Sequence, residues 1–431
     1  MEKIDFCKSL LERLQKPSGN SDLLKTLQVS KMLVCKQDEA TKVLWSKDAI
    51  VCYLQYAEKH FDEDIGMEAL KCMNNCLFQN SESCVTVCNS EECWEPLSNL
   101  LVKDGSLSNF SRLCIVSLYI FAGTFHKSDE MVTLFVECIV RRMSGVYESF
   151  EKNGNFTRHD IEALDRGFRL IYAIGINNVD SIVSLESKSK AYAASLPDDE
   201  LLGMVQNMTI NDSNVPVLDR IGFLAVRVFQ AKILIEDKAL CKELRQSALS
   251  VLMIACDKIR GFVAFLNRHH VVQSMFEFLQ EETENILGET DDAGCTSVKS
   301  FKELYSIIIT LTYAAQRDVE ARQLLKSLVF PRSLPPVEPE SYDDPAKAEQ
   351  AIKDRQLSGD TPDDVFGHVL IKFMLCLDGN LKRFVSEFLY TLCEENGGEF
   401  VKRCGYGHAV HLLAIKSGEI HGIIEQQEKQ S

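Results

Sequence analysis

The chain has 431 residues, with 47 basic against 63 acidic side chains and a formal charge of −16, so a phosphate backbone or an anionic bilayer is repelled on average. Hydrophobic residues at 45% and aromatics at 8% are ordinary for a folded protein and exclude a disordered chain. Sixteen cysteines suggest a disulfide framework, but Cys72, Cys76, Cys114, Cys138, Cys256, Cys376 and Cys393 fall in apolar helical stripes, where a free thiol acts as a small hydrophobe in a reducing cytosol.

The start, Met1-Glu2-Lys3-Ile4-Asp5, has no cationic segment leading into an apolar run, and reads as no secretory signal. Apolar residues then recur at helical spacing over about 3–15, 21–35, 47–60, 64–79, 91–102, 108–126, 128–151, 157–177, 198–210, 215–235, 237–257, 269–286, 297–316 and 319–328. No alternating strand pattern interrupts them. The longest apolar run, Leu113 to Phe125, contains Ser117 and Gly123 and falls short of the roughly 20 residues of a membrane span. Helix pairs recurring about every 40 to 45 residues mark armadillo or HEAT arrays. The expected fold is therefore all-α, an armadillo/HEAT-like right-handed α-solenoid of about eight to nine repeats.

On the helix from Asp64 to Gln79, Ile65, Ala69, Leu70, Met73, Cys76 and Leu77 form the buried stripe, which leaves Glu68, Lys71 and Asn75 stacked on the opposite face. An exposed Asn offers a donor and an acceptor, and can clamp the backbone of a bound segment. Lys71 adds a cation for a carboxylate. Lys31, Arg112 and Arg169 occupy comparable polar faces and extend the same groove.

Val329 to Asp364 breaks the rhythm with six of the ten prolines. It reads as a long exposed loop, with room for one short helix at Ala346 to Gln356. Residues 1–328 are thus expected to be the helical array, 329–364 a Pro-rich acidic loop, and 365–431 a terminal repeat with a short tail. In that last part Phe366, Val369, Leu370, Phe373, Met374 and Leu377 form one stripe. After Asp378-Gly379-Asn380, Leu381, Phe384, Val385, Phe388, Leu389 and Leu392 form a second, so the two helices make an antiparallel hairpin. Asn396-Gly397-Gly398 is expected to end the second helix with left-handed backbone angles, and a shorter helix pair follows around Gly405-Tyr406-Gly407.

Catalytic and cofactor motifs are missing. No GxxxxGK[ST] string, CxxC pair or HExxH helix occurs, and Gly405-x-Gly407 lacks a third glycine and a preceding strand. Cys72/Cys76 and Cys84/Cys88 are spaced i,i+4 but read as core packing, and the adjacent His269 and His270 point about 100° apart on a helix. The expectation is no catalytic residue, no metal, no cofactor, and a binding protein without bond-making chemistry.

The stretch Leu370-Ile371-Lys372, Glu387 to Cys393, and Gly405-Tyr406-Gly407 with Ala409 and the following leucines resembles the synembryn family, the chaperones and exchange factors of heterotrimeric G protein α subunits (Gα). Leu70-Lys71-Cys72-Met73-Asn74-Asn75 is similar as well, and Lys302 to Pro331 more weakly. His408 stands where the family has Asn, and Cys35 where it carries a second Arg. The resemblance implies that the groove takes the C-terminal helix of a Gα subunit, GDP-bound or nucleotide-free, with Asn75 at the family position that contacts the client. It also implies a monomer located in the cytoplasm or, through membrane-attached G proteins, at the cell cortex. Family members continue about a hundred residues past the Gly-Tyr-Gly block, so either the chain is truncated or exchange activity is reduced and tail docking remains. The alternatives are a solenoid adaptor for another linear peptide, although only Trp45 and Trp94 are present where an importin repeats Trp/Asn, and a helical hydrolase or transferase.

Overall fold

The computed structural model describes residues 2–36, 38–103, 105–121, 129–177, 215–233, 235–259, 261–288, 301–331 and 366–416. These form two compact units, Met1–Ile259 and Arg260–Ser431. Every described element is helical, and no strand occurs among the described residues. The expected helix at 198–210, the short helix at 346–356 and nearly all of the Pro-rich loop lie outside the described residues.

The first unit contains α1 (Glu2–Gln15), α2 (Asn20–Val34), a 3-10 turn (Thr41–Trp45), α3 (Lys47–Lys59), α4 (Asp64–Gln79), α5 (Ser81–Asn89), α6 (Glu91–Val102), α7 (Leu107–Phe121), α8 (Asp129–Asn153), α9 (Arg158–Asn177), α10 (Val217–Gln230) and α11 (Lys238–Lys258). They pack in two rows. Helices α2, α4, α7, α9 and α11 lie side by side, each on the next, and α3, α6, α8 and α10 form the second row. Across the rows α3 packs on α4, α6 on α7, α8 on α9 and α10 on α11. Most of these helices bury an apolar stripe between the rows, as an amphipathic helix must, whereas α10 is buried nearly all round. Polar side chains set where helices begin. Ser46 accepts the amide of Ala49 at the start of α3, and Asp237 that of Leu240 at the start of α11. A Cβ at Gly66 would lie 2.0 Å from the carbonyl oxygen of His60, so only glycine lets the first turn of α4 lie against the end of α3.

The second unit contains α12 (Phe262–Arg268), α13 (Val271–Gly288), α14 (Lys302–Arg317), α15 (Val319–Val329), α16 (Phe366–Phe373), α17 (Gly379–Leu392), α18 (Gly397–Cys404) and α19 (406–416). The hairpin read from sequence is present, since α16 packs on α17, and α17 also lies on α14 and α15. Its details differ in three places. Helix α16 ends at Phe373, and Leu377, expected in the buried stripe, is fully exposed in the turn. Asp378 belongs to the next helix as its cap: it accepts the amides of Asn380 and Leu381, both at 3.0 Å, and the phenol of Tyr305 at 2.6 Å. The left-handed residues that end α17 are Glu394 and Glu395, at φ 59° and 56°, whereas Asn396 is extended and caps α18 through the amide of Glu399. Asn396 thus starts the following helix, a role its side-chain oxygen serves as well as a stop.

Among the described residues no helix is long and apolar enough to cross a membrane. The described cysteines are free thiols. Cys72 and Cys76 are buried and donate to the carbonyls of Leu27 and Leu44, as core residues do.

Candidate functional site on the row of alternate helices

The five residues picked out from sequence all lie on the row α2, α4, α7 and α9. The structure brings three of them together. Lys31 donates to Glu68 Oε2 at 2.5 Å and Lys71 to Glu68 Oε1 at 2.6 Å, so one carboxylate bridges two lysines from adjacent helices. The Glu68 side chain is only 11% exposed, against 30% and 33% for the lysines. Burial pushes its carboxyl up, but the two lysine hydrogen bonds outweigh burial and hold it below the ordinary carboxylate range. Glu68 is therefore no exposed groove residue, as its position opposite the buried stripe suggests, but a nearly buried anion that fixes two cations.

Asn75 is half-buried. Its amide nitrogen donates to the carbonyl of Lys31 at 3.3 Å and to Cys35 Sγ at 3.1 Å. The donor is thus spent inside the protein, contrary to the expectation of an exposed amide with both functions open. Its oxygen has no hydrogen-bond partner among the described residues.

Arg112 on α7 is half-buried, and its Nε is shielded from solvent without a hydrogen-bond partner. Burial first, then the like charge of Arg166, lowers its pKa, against the pull of Glu162 and Glu68. A guanidinium desolvated in this way is costly, and Glu162 and Glu68 offset only part of that cost. Arg166 itself donates to Ser111 and lies 4.0 Å from Glu162.

Arg169 stands apart from this cluster. It is pinned at 3.0 Å to both Asp165 and Glu243, and Ser247 donates to the same Asp165 at 2.6 Å. With two carboxylates already engaged it cannot serve as an open receptor for a third. The roles of Glu68, Asp165, Glu162 and Arg166 escape a reading that looks only for exposed cations. Their signal is spacing: Glu68/Lys71 at i,i+3, and Glu162/Arg166 and Asp165/Arg169 at i,i+4.

Beside the charged strip, nearer the C-terminal ends of the same helices, apolar side chains are left open. Met32 on α2, Phe78 on α4 and Ile176 on α9 are exposed at 61%, 65% and 48%, and Phe78 meets Tyr119 of α7 edge to face at 5.9 Å. A cavity of about 320 Å³ follows, lined by Leu118, Arg169, Tyr172, Ala173, Ile176, Ser247 and Ser250. Among the described residues no group of His, Cys, Asp and Glu is placed to hold a metal. Chemically the face offers cations, one open amide oxygen and an apolar strip, which together suit a carboxylate-bearing amphipathic segment.

Residues 348–430, which fall in the second unit, match the family model described as guanine nucleotide exchange factor synembryn. The curated relatives include Chaperone Ric-8A of Rattus norvegicus, 26% identical over 181 residues covering 42% of this chain and 26% of the relative. Chaperone Ric-8A of Xenopus laevis is 31% identical over 113 residues, 26% of this chain and 17% of the relative. The matched region thus spans about a quarter or less of the length of these relatives. A crystal structure of an engineered protein aligns over 95% of this chain and 93% of its own at 14% identity, with a TM-score of 0.43, too low to carry an argument. The chain is thus similar to the synembryn family over part of its length, at low identity.

Proposed function

We propose that the chain binds the C-terminal helix of a heterotrimeric G protein α subunit on the open face of the α2–α4–α7–α9–α11 row, and acts as a chaperone and guanine nucleotide exchange factor that stabilises nucleotide-free Gα. The observation that carries the reading is the cation cluster, with Arg112 half-buried and its Nε without a hydrogen-bond partner, beside the lysines that Glu68 holds in place. A helix that ends in a free carboxylate supplies an anion for a charge-assisted pair, and its apolar side fits the strip from Met32 to Ile176.

The same contacts explain the two activities. Holding a segment that would otherwise pack within the client favours the client state in which that segment is free, because contacts are gained in that state alone. Exchange and chaperoning are then one equilibrium, and no covalent chemistry is required of this chain. On this reading 1–328 is an armadillo/HEAT-like right-handed array of about eight to nine pairs, 329–364 a Pro-rich acidic loop and 365–431 a terminal repeat with a short tail; the two packed rows of the first unit support its repeating, all-helical character. A cytoplasmic or cortical monomer fits this role.

The test is to titrate Gα with the chain and with the pair Asn75→Ala and Lys71→Ala. Affinity is expected to fall at least tenfold. Unchanged affinity moves the site off this face.

A further inference from the structure

We propose that the turn between α16 and α17 is a membrane-contact site, where Leu375 and Leu377 enter the boundary of an anionic bilayer and Lys302, Lys372, Lys382 and Arg383 meet its headgroups. The contact involves the second unit alone and goes beyond the Gα-binding reading.

The turn holds two leucines outside. Helix α16 ends at Phe373, and the amides of Met374, Leu375 and Cys376 donate to the carbonyls of Ile371, Lys372 and Phe373 at 3.0, 3.0 and 3.2 Å, so the chain tightens into i,i+3 bonds. Phe373 and Met374 are buried, with the Phe373 ring edge to face on Phe301 at 5.6 Å. On the other side Cys376 Sγ donates to the carbonyl of Asp378 at 3.3 Å, and Asp378 caps α17 and accepts the phenol of Tyr305. Tied down at both ends, the turn leaves Leu375 62% exposed and Leu377 fully exposed. One open leucine needs no explanation. Two on one braced tip, rimmed by cations, mark an interaction site.

The cations are available. Exposed Lys372 lies in the last turn of α16, and Lys382 and exposed Arg383 in the first turn of α17. The carboxyl of Asp378 is held below the ordinary range first by the Tyr305 hydrogen bond and, among weaker causes, by the charge of Lys302 at the start of α14, which places that exposed lysine beside the turn. None of the four makes an ion pair among the described residues. The acids nearby are engaged: Asp378 as above, Glu387 by Lys416 at 3.2 Å, and half-buried Glu303 within the protein.

A convex apolar tip offers no groove to receive a partner's side chain. It suits a soft surface with an anionic layer over an apolar one, in which leucines sink below the headgroups while Lys and Arg stay among them. The net charge of −16 repels such a surface on average, so approach is confined to this tip, where insertion and charge act together. The contact is weak and reversible, since even a single acyl chain holds a protein only marginally.

The experiment floats the full chain, without Gα, on vesicles of phosphatidylcholine alone or of phosphatidylcholine with phosphatidylserine. At least fivefold more chain should rise with the phosphatidylserine vesicles, and about 0.5 M salt should erase the difference by screening. Leu375→Ser with Leu377→Ser, and Lys372→Gln with Arg383→Gln, should each lower flotation at least threefold with melting unchanged. Leu377→Trp should emit further to the blue on phosphatidylserine vesicles and be quenched by brominated lipid, a signal distinct from Trp45 and Trp94 of the first unit. Equal flotation on the two kinds of vesicle, or none on either, overturns the site, and that comparison needs no variant. Selective flotation that survives loss of both leucines also overturns it, because the contact then lies elsewhere. With Gα absent from the assay, a failure here leaves the Gα-binding reading standing, and a failure of that reading leaves this site standing.

Discussion

Replacing Glu68 by Gln removes the anion that ties α2 to α4 while keeping the side chain's shape. Two short hydrogen bonds, at 2.5 and 2.6 Å, lose their charge assistance. Such bonds contribute about 1.5 to 3 kcal/mol when buried and about 0.2 to 1 when exposed. With the carboxylate nearly buried but both lysines about a third exposed, solvent screening brings each to about 1 kcal/mol, or about 2 for the pair. In a unit of this size that corresponds to a fall in Tm of about 4 to 8 °C. The pH dependence has a defined sign. A carboxylate whose folded pKa is depressed contributes stability that is full above its unfolded value, near 4.5, and is lost as pH falls through the lower folded value. The difference in Tm between the native chain and Glu68→Gln, followed by circular dichroism, should therefore be complete at pH 7 and shrink below about pH 4.5. Equal melting at pH 7, or a gap that persists undiminished in acid, would refute the bridging role.

Three further outcomes follow from the same coordinates. Arg112→Met keeps an apolar stem of similar length and removes a half-buried guanidinium whose Nε has no hydrogen-bond partner, so Tm should hold or rise, while binding of a Gα C-terminal peptide drops at least tenfold in a titration. Asp378→Ala uncaps α17 and frees Tyr305; it should destabilise the second unit by about 2 kcal/mol. It should also bring the Tyr305 phenol, pushed up to about 12 by burial and by Asp378, back toward the ordinary tyrosine value in an ultraviolet titration. Burial lowers the pKa of His408, so its contribution to stability is full above pH 6.5 and lost as pH falls through the folded value; His408→Asn should melt with less change between pH 7.5 and 5.5 than the native chain does.

Much of the architecture is legible in the sequence because amphipathic helices advertise themselves. The stripes at 64–79 and 157–177 become α4 and α9 within a residue. Short helices are harder to see: α5 and α12 span only nine and seven residues, about two turns, too few for a period to stand out. Ends of helices are also ambiguous, since Asp378, Asn396 and the glycines beside them serve a turn or a cap equally well from composition alone. Only the backbone shows that Glu394 and Glu395 carry the left-handed angles.

The candidate site is half legible. Periodicity places Lys31, Lys71, Asn75, Arg112 and Arg169 on one row, but not which charges are already engaged. Lys31 and Lys71 share Glu68 across a gap of 37 residues in sequence between Lys31 and its partner, and Arg169 is joined to Glu243 across 74. Long-range pairing of this kind leaves no local spacing to read. The open apolar strip is hidden for the opposite reason, because Phe78 and Ile176 look like core residues in a stripe, whereas the structure leaves them 65% and 48% exposed.

The most direct measurement of the central claim pairs two clients. A GDP-loaded Gα subunit and the same subunit lacking its C-terminal helix are each mixed with the full chain, and complex formation and GDP release are followed together. Complex and release with the intact subunit, and neither with the shortened one, is the result the account predicts. Equal binding of the shortened subunit would contradict it.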